Sequence, residues 1–432
     1  MKNFFVNYFM NKKPTWIYKT LRRLITYDQT YVSNEPMLYT LNYFQIGYRF
    51  CTLILAYPIS LLMWLVFRVL SLRYRVSIYV LKTFRPGWGS TYLNMLEPLC
   101  RLLQQENMVR HIKVLIDPGE SVSGILVKSY EPHFTLYLDD RRKFARLIAY
   151  LIPKSGLEKK YLNTSNKHMP GWLCPPSKNY LDHRTKVPLD LVNLDVNVDN
   201  FVLFAHASKN YYKNRVSREV FSNIHHRFYD LSSYRLALDN LIRNNLKIIR
   251  VGTEVDELPA SLKDLPIIDY TGENRTEEGE FWLYENCKFL LSATSGAFWF
   301  ARRFDRPTLL TNSYAWPLGY FSTLYTPMTF RSTETSRLLT FAEMLEIRNA
   351  PNFLENQFMS DSHLELVPNS ATTIANAVEE ILNASNGRKI ATLEDTELME
   401  SYKAILTSYN IAIVEKMTLP TISFLKEYSY LL

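Results

Sequence analysis

Residues 281–318 read FWLYENCKFLLSATSGAFWFARRFDRPTLLTNSYAWPL. The apolar run Phe289-Leu290-Leu291 predicts a buried strand, which stops at Ala293-Thr294-Ser295-Gly296. Ala297–Phe304 then predicts a helix, and Pro307–Leu310 opens a further short strand that ends at Thr311-Asn312. A strand, a turn of small residues, a helix and a strand form the repeating unit of a parallel α/β sheet. The turn is also a candidate anion site, because the first amides of a helix have no carbonyl partner within it. Thr294 and Ser295 add hydroxyl donors, and Gly296 lets a ligand come close to the backbone. A tight turn with a Ser/Thr cap explains the same residues without a ligand.

Working outward from this unit, the second half of the chain repeats its pattern. Phe201–Ala205 is a continuous apolar strand ending at His206. His225–Asp230 precedes an amphipathic helix, Ser233–Asn244, with Asp230 and Ser232 or Ser233 as capping residues. Leu246–Val251 is a strand closed by Gly252, and Ile267–Tyr270 is a short one. Helices are expected over Phe281–Cys287, Ile374–Leu382, Leu398–Leu406 and Thr421–Tyr430. An acidic loop, Gly272–Glu280, reads as a solvated charge run, although Glu273 or Glu280 placed at a ligand could hold a ribose or act as a base. Arg302-Arg303 is expected to face solvent, and His225-His226 to form a surface pair.

The first half carries a shorter series. Val76–Leu81 and His111–Ile116 predict strands, joined by the turn Pro86–Ser90 and a helix over Tyr92–Glu106. Phe144–Ile152 reads as another helix. Gly87-Trp88-Gly89 is only half of a dinucleotide fingerprint, and is a candidate loop at a cleft. Prolines at 153, 170, 175, 176 and 188 mark a boundary between the halves. The expected domains are therefore 76–190 and 196–385, both Rossmann-like, followed by C-terminal helices over 386–432 that pack back across the cleft.

Residues 1–75 differ in kind. Phe50–Phe67 carries no charge and spans 18 residues, at the lower limit for a bilayer crossing, with Pro58 in its middle. Arginines flank both ends, and upstream Trp16, Ile17, Tyr18, Leu21 and Ile25 alternate with Lys12, Lys13, Lys19, Arg22 and Arg23. A basic, aromatic, amphipathic pattern suits an anionic membrane surface. With both flanks basic, a monotopic or re-entrant helix on the cytoplasmic face of the inner membrane fits better than a full crossing. A buried core helix is the alternative.

Composition narrows the chemistry. The 432 residues are 47% hydrophobic with a net charge of +8, so a large core and anionic partners are expected. The four cysteines have no paired spacing and suggest neither a disulfide framework nor a zinc site. The basic residues are spread rather than striped, which argues against nucleic acid. No P-loop, His-Glu-x-x-His or Gly-x-Ser-x-Gly is present, and no Asp-x-Asp triplet of the kind that holds a divalent ion.

Several of these pieces, in order, resemble a family of bacterial glycosyltransferases of the GT-B fold found with surface-polysaccharide genes. They are Phe204-Ala205-His206, Arg227-Phe228-Tyr229-Asp230, Arg250-Val251-Gly252, Ile268-Asp269-Tyr270, Ser295-Gly296, Pro307 to Asn312, and the closing Ser423-Phe424-Leu425. The resemblance spans about residues 50–430. It implies two Rossmann-like domains facing a cleft, a nucleotide-sugar substrate, no cofactor and no metal, and a glycan or lipid-linked acceptor. Mapped here, it implies donor or phosphate contacts from Arg227, Arg250, Gly252, Thr294, Ser295, Gly296 and Asn312. His206 would contact the donor or serve as base, and Gly87, Trp88 and Gly89 would line the acceptor side. Two departures stand out: Ser208 where the family usually has Arg, and Arg85-Pro86-Gly87-Trp88 where it often has Arg-Ile-Gly-His. They leave open an inactive nucleotide- or glycan-binding protein, or a scaffold, at the membrane.

Overall fold

The structure is a computed structural model that describes residues 26–28, 38–40, 62, 65–66, 69, 75–80, 111–116, 134–138, 187–213, 218–272, 275–314, 323–348, 356–388, 392–409 and 419–432. The chain divides into two compact units. One comprises Met1–Pro86, Glu106–Ser121 and His133–Asn166; the other comprises Gly87–Gln105, Val122–Pro132 and Lys167–Leu432.

The first unit holds a short antiparallel pair, β1 (Thr26–Asp28) and β2 (Leu38–Thr40), and a three-stranded parallel sheet. That sheet runs β3 (Arg75–Val80), β4 (His111–Ile116) and β5 (Leu136–Leu138) in order. The turn Gly87-Trp88-Gly89 and the expected helices over Tyr92–Glu106 and Phe144–Ile152 lie outside the described residues. So does most of Phe50–Phe67; of its residues Leu62, Leu65 and Val66 are described, and all three are helical and exposed, as is Val69 beyond it. Among the described residues no helix is long and apolar enough to cross a membrane.

The second unit is built on a six-stranded sheet. Its strands are β6 (Phe201–Ala205), β7 (Lys247–Val251), β8 (Ile267–Tyr270), β9 (Phe289–Ala293), β10 (Thr308–Ser313) and β11 (Thr323–Pro327). All neighbours are parallel, in the order β11-β10-β9-β6-β7-β8. Numbered within the sheet, this is the 3-2-1-4-5-6 order of doubly wound sheets. β6 and β9 are buried along their whole length, which is why they read as unbroken apolar runs rather than alternating ones. Edge strand β8 is only partly buried.

Two helices close one face of that sheet. α2 (Arg235–Arg243) follows a 3₁₀ turn in which the Asp230 carboxylate accepts from the Ser232 amide, so the expected cap is present and the helix proper starts two residues late. α5 (Ala371–Ser385) is capped by Ser370 and presents Ile374, Ala377, Val378, Ile381 and Leu382 at helical spacing. These side chains pack with Leu238 and Leu241 on Val202, Phe204, Phe289, Leu291 and Leu309. On the other face Phe201 stacks on Trp282 of α3 (Glu277–Asn286).

A second core joins the antiparallel ribbon β12 (Thr329–Ser332) and β13 (Leu364–Val367) to the last helices. α6 (Leu393–Ser408) and α7 (Ile422–Glu427) contribute Tyr402, Leu406, Phe424 and Leu425 to it. Glu380 of α5 anchors α7 by accepting from the Ile422 and Ser423 amides at 3.0 Å.

Asn312 and Asn369 clasp the end of β10 to the start of α5. Each asparagine amide donates to the other's side-chain oxygen, at 2.6 and 2.7 Å. Asn369 also accepts from the Thr326 hydroxyl and donates to the Pro327 carbonyl. Both residues are buried, so Asn369→Ala leaves several polar groups without partners or water. Each costs about 1–3 kcal/mol. Urea unfolding should register a loss of at least about 2 kcal/mol, and a change under about 0.5 kcal/mol, the ordinary range for a surface site, would rule the clasp out.

Candidate functional site

The site follows from the topology. Strand order reverses between β6 and β9, and ligands of open parallel sheets sit outside the C-terminal ends of the strands at such a point. Ala205 pairs with Ser292, so the two strands end side by side, and His206 and Thr294-Ser295-Gly296 emerge next to each other. A cavity of about 160 Å³ lies there. His206, Gly252, Ser295 and Gly296 all line it, together with Ser208, Tyr211, Tyr212, Arg275, Glu280, Phe281, Tyr284 and Phe300. A larger cavity of about 550 Å³ lies at the opposite edge, among Thr308 and Thr323 at the starts of β10 and β11. That is the wrong end of the strands for a ligand of this architecture.

His206 has a structural job. Arg250, which is 2% exposed, points its Nη2 at the His206 Nε2, 3.0 Å away. A guanidinium can only donate, so Nε2 accepts and the ring proton sits on Nδ1, which faces the Ala207 carbonyl at 3.2 Å. Both nitrogens are committed. Burial, reinforced by the Arg250 charge, pushes the imidazole down to about 4. In this arrangement the one lone pair that would take a hydroxyl proton already accepts from Arg250.

Arg250 is likewise engaged within the protein. Its Nη1 donates to Asp269 at 3.2 Å, and its Nη2 reaches the Asp256 carbonyl. Gly252 follows with φ +141°, a conformation closed to ordinary side chains, and an added Cβ would lie 2.9 Å from Val255 Cγ1. The loop after β7 folds back from there onto α1 (Lys209–Lys213). The Asp256 carboxylate accepts from the Lys209 and Asn210 amides at 2.8 and 3.0 Å, and Ser208 Oγ donates to the Glu254 carbonyl at 2.7 Å. The amides that open α1 thus already hold an internal anion. Ser208, in place of the arginine usual in the resembling family, ties this loop down.

The turn that closes β9 is different. A Cβ added at Gly296 would meet nothing within 4 Å, and this residue opens α4 (Ala297–Arg303). Ser295 Oγ lies 3.1 Å from Ser292 Oγ. Thr294 turns away from the cavity, its hydroxyl 3.5 Å from that of Ser313. Asn312, at φ +49°, is spent on Asn369 and on the Tyr234 hydroxyl at 3.4 Å, and does not reach the cavity. Arg227 stands behind the wall: its Nη1 donates to the Tyr212 hydroxyl at 3.0 Å, and its guanidinium lies over the Tyr212 and Tyr314 rings.

Three expectations are corrected by burial. Arg302 and Arg303 are buried rather than solvent-facing, with Arg302 on the Trp299 ring. His226 is buried against Tyr314 while His225 is exposed. The acidic stretch Gly272–Glu280 is solvated only in part: Gly272, Glu277 and Glu278 are exposed, and Glu280 is not. Thr276 caps α3 through the Gly279 amide, and this turns Glu280 inward, where it pairs with Arg275 inside the cavity. The Thr-x-x-Gly-Glu spacing before an apolar run was the available signal. Among the described residues no group of three His, Cys, Asp or Glu could hold a metal ion.

No family model matches the chain, and no curated protein matches it. Among solved structures it is similar to the ADP-heptose lipopolysaccharide heptosyltransferase II of E. coli, at 12% identity and a TM-score of 0.35, over 58% of this chain and 90% of that one. A likeness to the iron-containing dodecameric glycosyltransferase TibC of enterotoxigenic E. coli has 12% identity and a TM-score of 0.34, over 73% and 76%. One to a glycosyl transferase family 9 protein of Veillonella parvula has 13% identity and a TM-score of 0.29, over 68% and 79%. TM-scores this low carry no weight for the reaction, which is read from the residues.

The buried, neutral histidine makes a prediction about acid. His206 has an ordinary value of 6.5 when unfolded and about 4 when folded. The unfolded chain therefore binds more protons between those values, so this contribution to stability is complete above pH 6.5 and is lost as pH falls towards 4. His206→Gln should flatten the slope of unfolding free energy against pH across that window. An unchanged slope would show that the ring is not held neutral.

Proposed function

We propose that this protein is a glycosyltransferase, moving a sugar from a nucleotide-sugar donor to a glycan or lipid-linked acceptor at a membrane surface, in surface-polysaccharide synthesis. The observation that carries the reading is the shared cavity: His206, Gly252, Ser295 and Gly296 come from three strand ends and line one space at the switch point. A departing nucleoside diphosphate needs N–H donors or cations in place before the bond breaks. The Ser295-Gly296 turn supplies the former. Arg227 supplies the latter if Tyr212, its hydrogen-bond acceptor, gives way to a phosphate.

With His206 committed, the proton from the acceptor hydroxyl goes to a group elsewhere. The GT-B arrangement, with domains over about 76–190 and 196–385 and an acceptor-side loop at Gly87, Trp88 and Gly89, is part of the proposal and would place that group on the first domain. The membrane face is proposed from residues 1–75, where exposed Leu62, Leu65, Val66 and Val69 fall at helical spacing beside basic sequence. Flotation of the full chain with anionic vesicles, lost on replacing these four by Ser, is the expected behaviour; a chain that never floats contradicts it.

One observation favours a second reading, that of an inactive binding protein: the one lone pair of the strand-end histidine already accepts from Arg250. Donor hydrolysis separates the two readings. Thermal unfolding with UDP-, GDP-, CMP- and dTDP-sugars should reveal a stabilising donor, since a ligand that binds only the folded state raises the midpoint. Arg227→Ala should weaken that donor by roughly 1.5–3 kcal/mol. Gly296→Val should abolish binding while leaving the unfolding midpoint of the free protein unchanged, because the space around Gly296 is open. Binding without turnover selects the second reading, and no binding by any nucleotide sugar rejects both.

A further inference from the structure

Helix α5 has two faces. Ile374, Ala377, Val378, Ile381 and Leu382 point into the core, while Asn376, Glu379, Asn383 and Asn386 fall in one outer stripe at helical spacing. A cavity of about 530 Å³ lies between this stripe and Asn240, Arg243 and Asn244 at the end of α2. The cavity of about 550 Å³ beside the starts of β10 and β11 lies on its other side. Asn376, Glu379, Asn383 and Arg388 line both, so the two make one groove that crosses the outer stripe of α5. Thr308 and Thr323, at the starts of their strands, stand in its wall, away from the switch point, so what it holds is not the donor.

Stability does not account for the asparagines. Asn is a poor helix former, because its amide competes for the backbone. Asn240 is at least bonded to Asn244, at 2.9 Å. Asn376 and Asn383, inside α5, have no side-chain hydrogen bond among the described residues, and neither the Glu379 carboxylate nor the Arg388 guanidinium has a partner there. Positions that break a local rule with no compensation inside the fold are where function is expected.

We propose that this groove is a second, non-transferring site that holds an acidic oligosaccharide. An amide both donates and accepts, as a hydroxyl does, so Asn376 and Asn383 suit a polyhydroxylated chain. The charges favour an acidic one. Lys426 is paired with Asp395 at 2.6 Å, and Glu380 is engaged by the Ile422 and Ser423 amides. That leaves the Arg388 guanidinium and the Nη atoms of Arg243, whose Nε donates to the Asp239 carbonyl, against the single carboxylate of Glu379. Guanidinium groups take carboxylates by paired, charge-assisted hydrogen bonds. Each cavity is in the range of about 300–1,000 Å³ that holds a drug-sized ligand, so the joined groove has room for more than one sugar unit. No Phe, Tyr, Trp or His is among the described residues that line it, so a nucleobase has no ring to stack on. The saccharide is held by its hydroxyl and acid groups. The groove shares no lining residue with the switch-point cavity, and the inference does not rest on the nucleotide-sugar reading.

Two measurements on the full chain test this. The first uses an array of immobilised uronic-acid-containing and neutral oligosaccharides. At least one acidic oligosaccharide should be retained, at least about tenfold more tightly than the neutral chain of the same length. Arg388→Ala and the double variant Asn376→Ala/Asn383→Ala should each weaken it about tenfold, and Gly296→Val should leave it unchanged. The second measurement needs no saccharide. Because Ala is the better helix former, the double variant should have a higher urea midpoint than the parent. A midpoint that fails to rise gives the asparagines a structural role and overturns the inference. So does an array on which no acidic oligosaccharide is retained, on which neutral chains are held equally well, or on which the double variant still binds as the parent does. Loss on Gly296→Val alone would move the saccharide to the transfer site, which overturns the inference and supports the glycosyltransferase reading. Retention by a chain that binds no nucleotide sugar keeps the inference and rejects that reading.

Discussion

A guanidinium buried to 2% exposure must find partners for its charge, and around Arg250 that requirement organises the whole edge of the second sheet. Its three contacts reach three separate segments: His206 at the end of β6, the Asp256 carbonyl in the loop after β7, and Asp269 in β8. Each contact fixes something the site depends on. The first sets the histidine tautomer, the second folds the loop over α1, and the third holds the edge strand in register. Burying a cation at a cost of several kcal/mol is a poor way to gain stability. Here it gives a rigid rim in which the neighbouring groups have one arrangement each.

That rim explains why most of the residues gathered by the resemblance separate into two kinds, with His206 in both, since it lines the cavity while its ring is bonded to Arg250. Those that end strands by backbone geometry, Gly252, Ser295 and Gly296, line the cavity. Those whose side chains can make strong internal bonds, Arg250, Thr294 and Asn312, are drawn into the wall or the core. A polar residue near a strand end finds protein partners when the chain offers them, and a glycine has no side chain to be diverted.

Much of the second sheet was legible in the sequence, because buried parallel strands leave unbroken apolar runs. FVLFA at 201–205 and the run from Phe289 are seen within a residue of their expected limits. In the first unit His111–Ile116 is the strand expected. β11, β12 and β13 escaped notice: Thr and Pro327 break the apolar run of β11, and β12 and β13 are only four residues each, too short for a periodicity to show. The start of α3 escaped for a different reason. Four glutamates and an arginine across 273–280 look solvated, and only the Thr276 cap reveals that a helix has begun and that Glu280 faces inward. The committed state of His206 was invisible for a simpler reason. Its partner is 44 residues away, and no local pattern encodes a contact across the sheet.

The reversal of strand order has a kinetic side as well. β6 pairs with β7 soon after it on the chain, but its other neighbour is β9, with Val202 set against Phe289. Nothing can seal that seam until the chain has passed through β7, β8 and α3. Contacts between segments so distant close slowly, because the intervening loop must be ordered before the contact rewards it. Until then one side of β6, apolar along its whole length, has unpaired backbone groups, the kind of edge on which another chain can add. During synthesis the two halves of the cavity therefore exist separately, and any capacity to bind should arrive abruptly once the segment through Gly296 has left the ribosome.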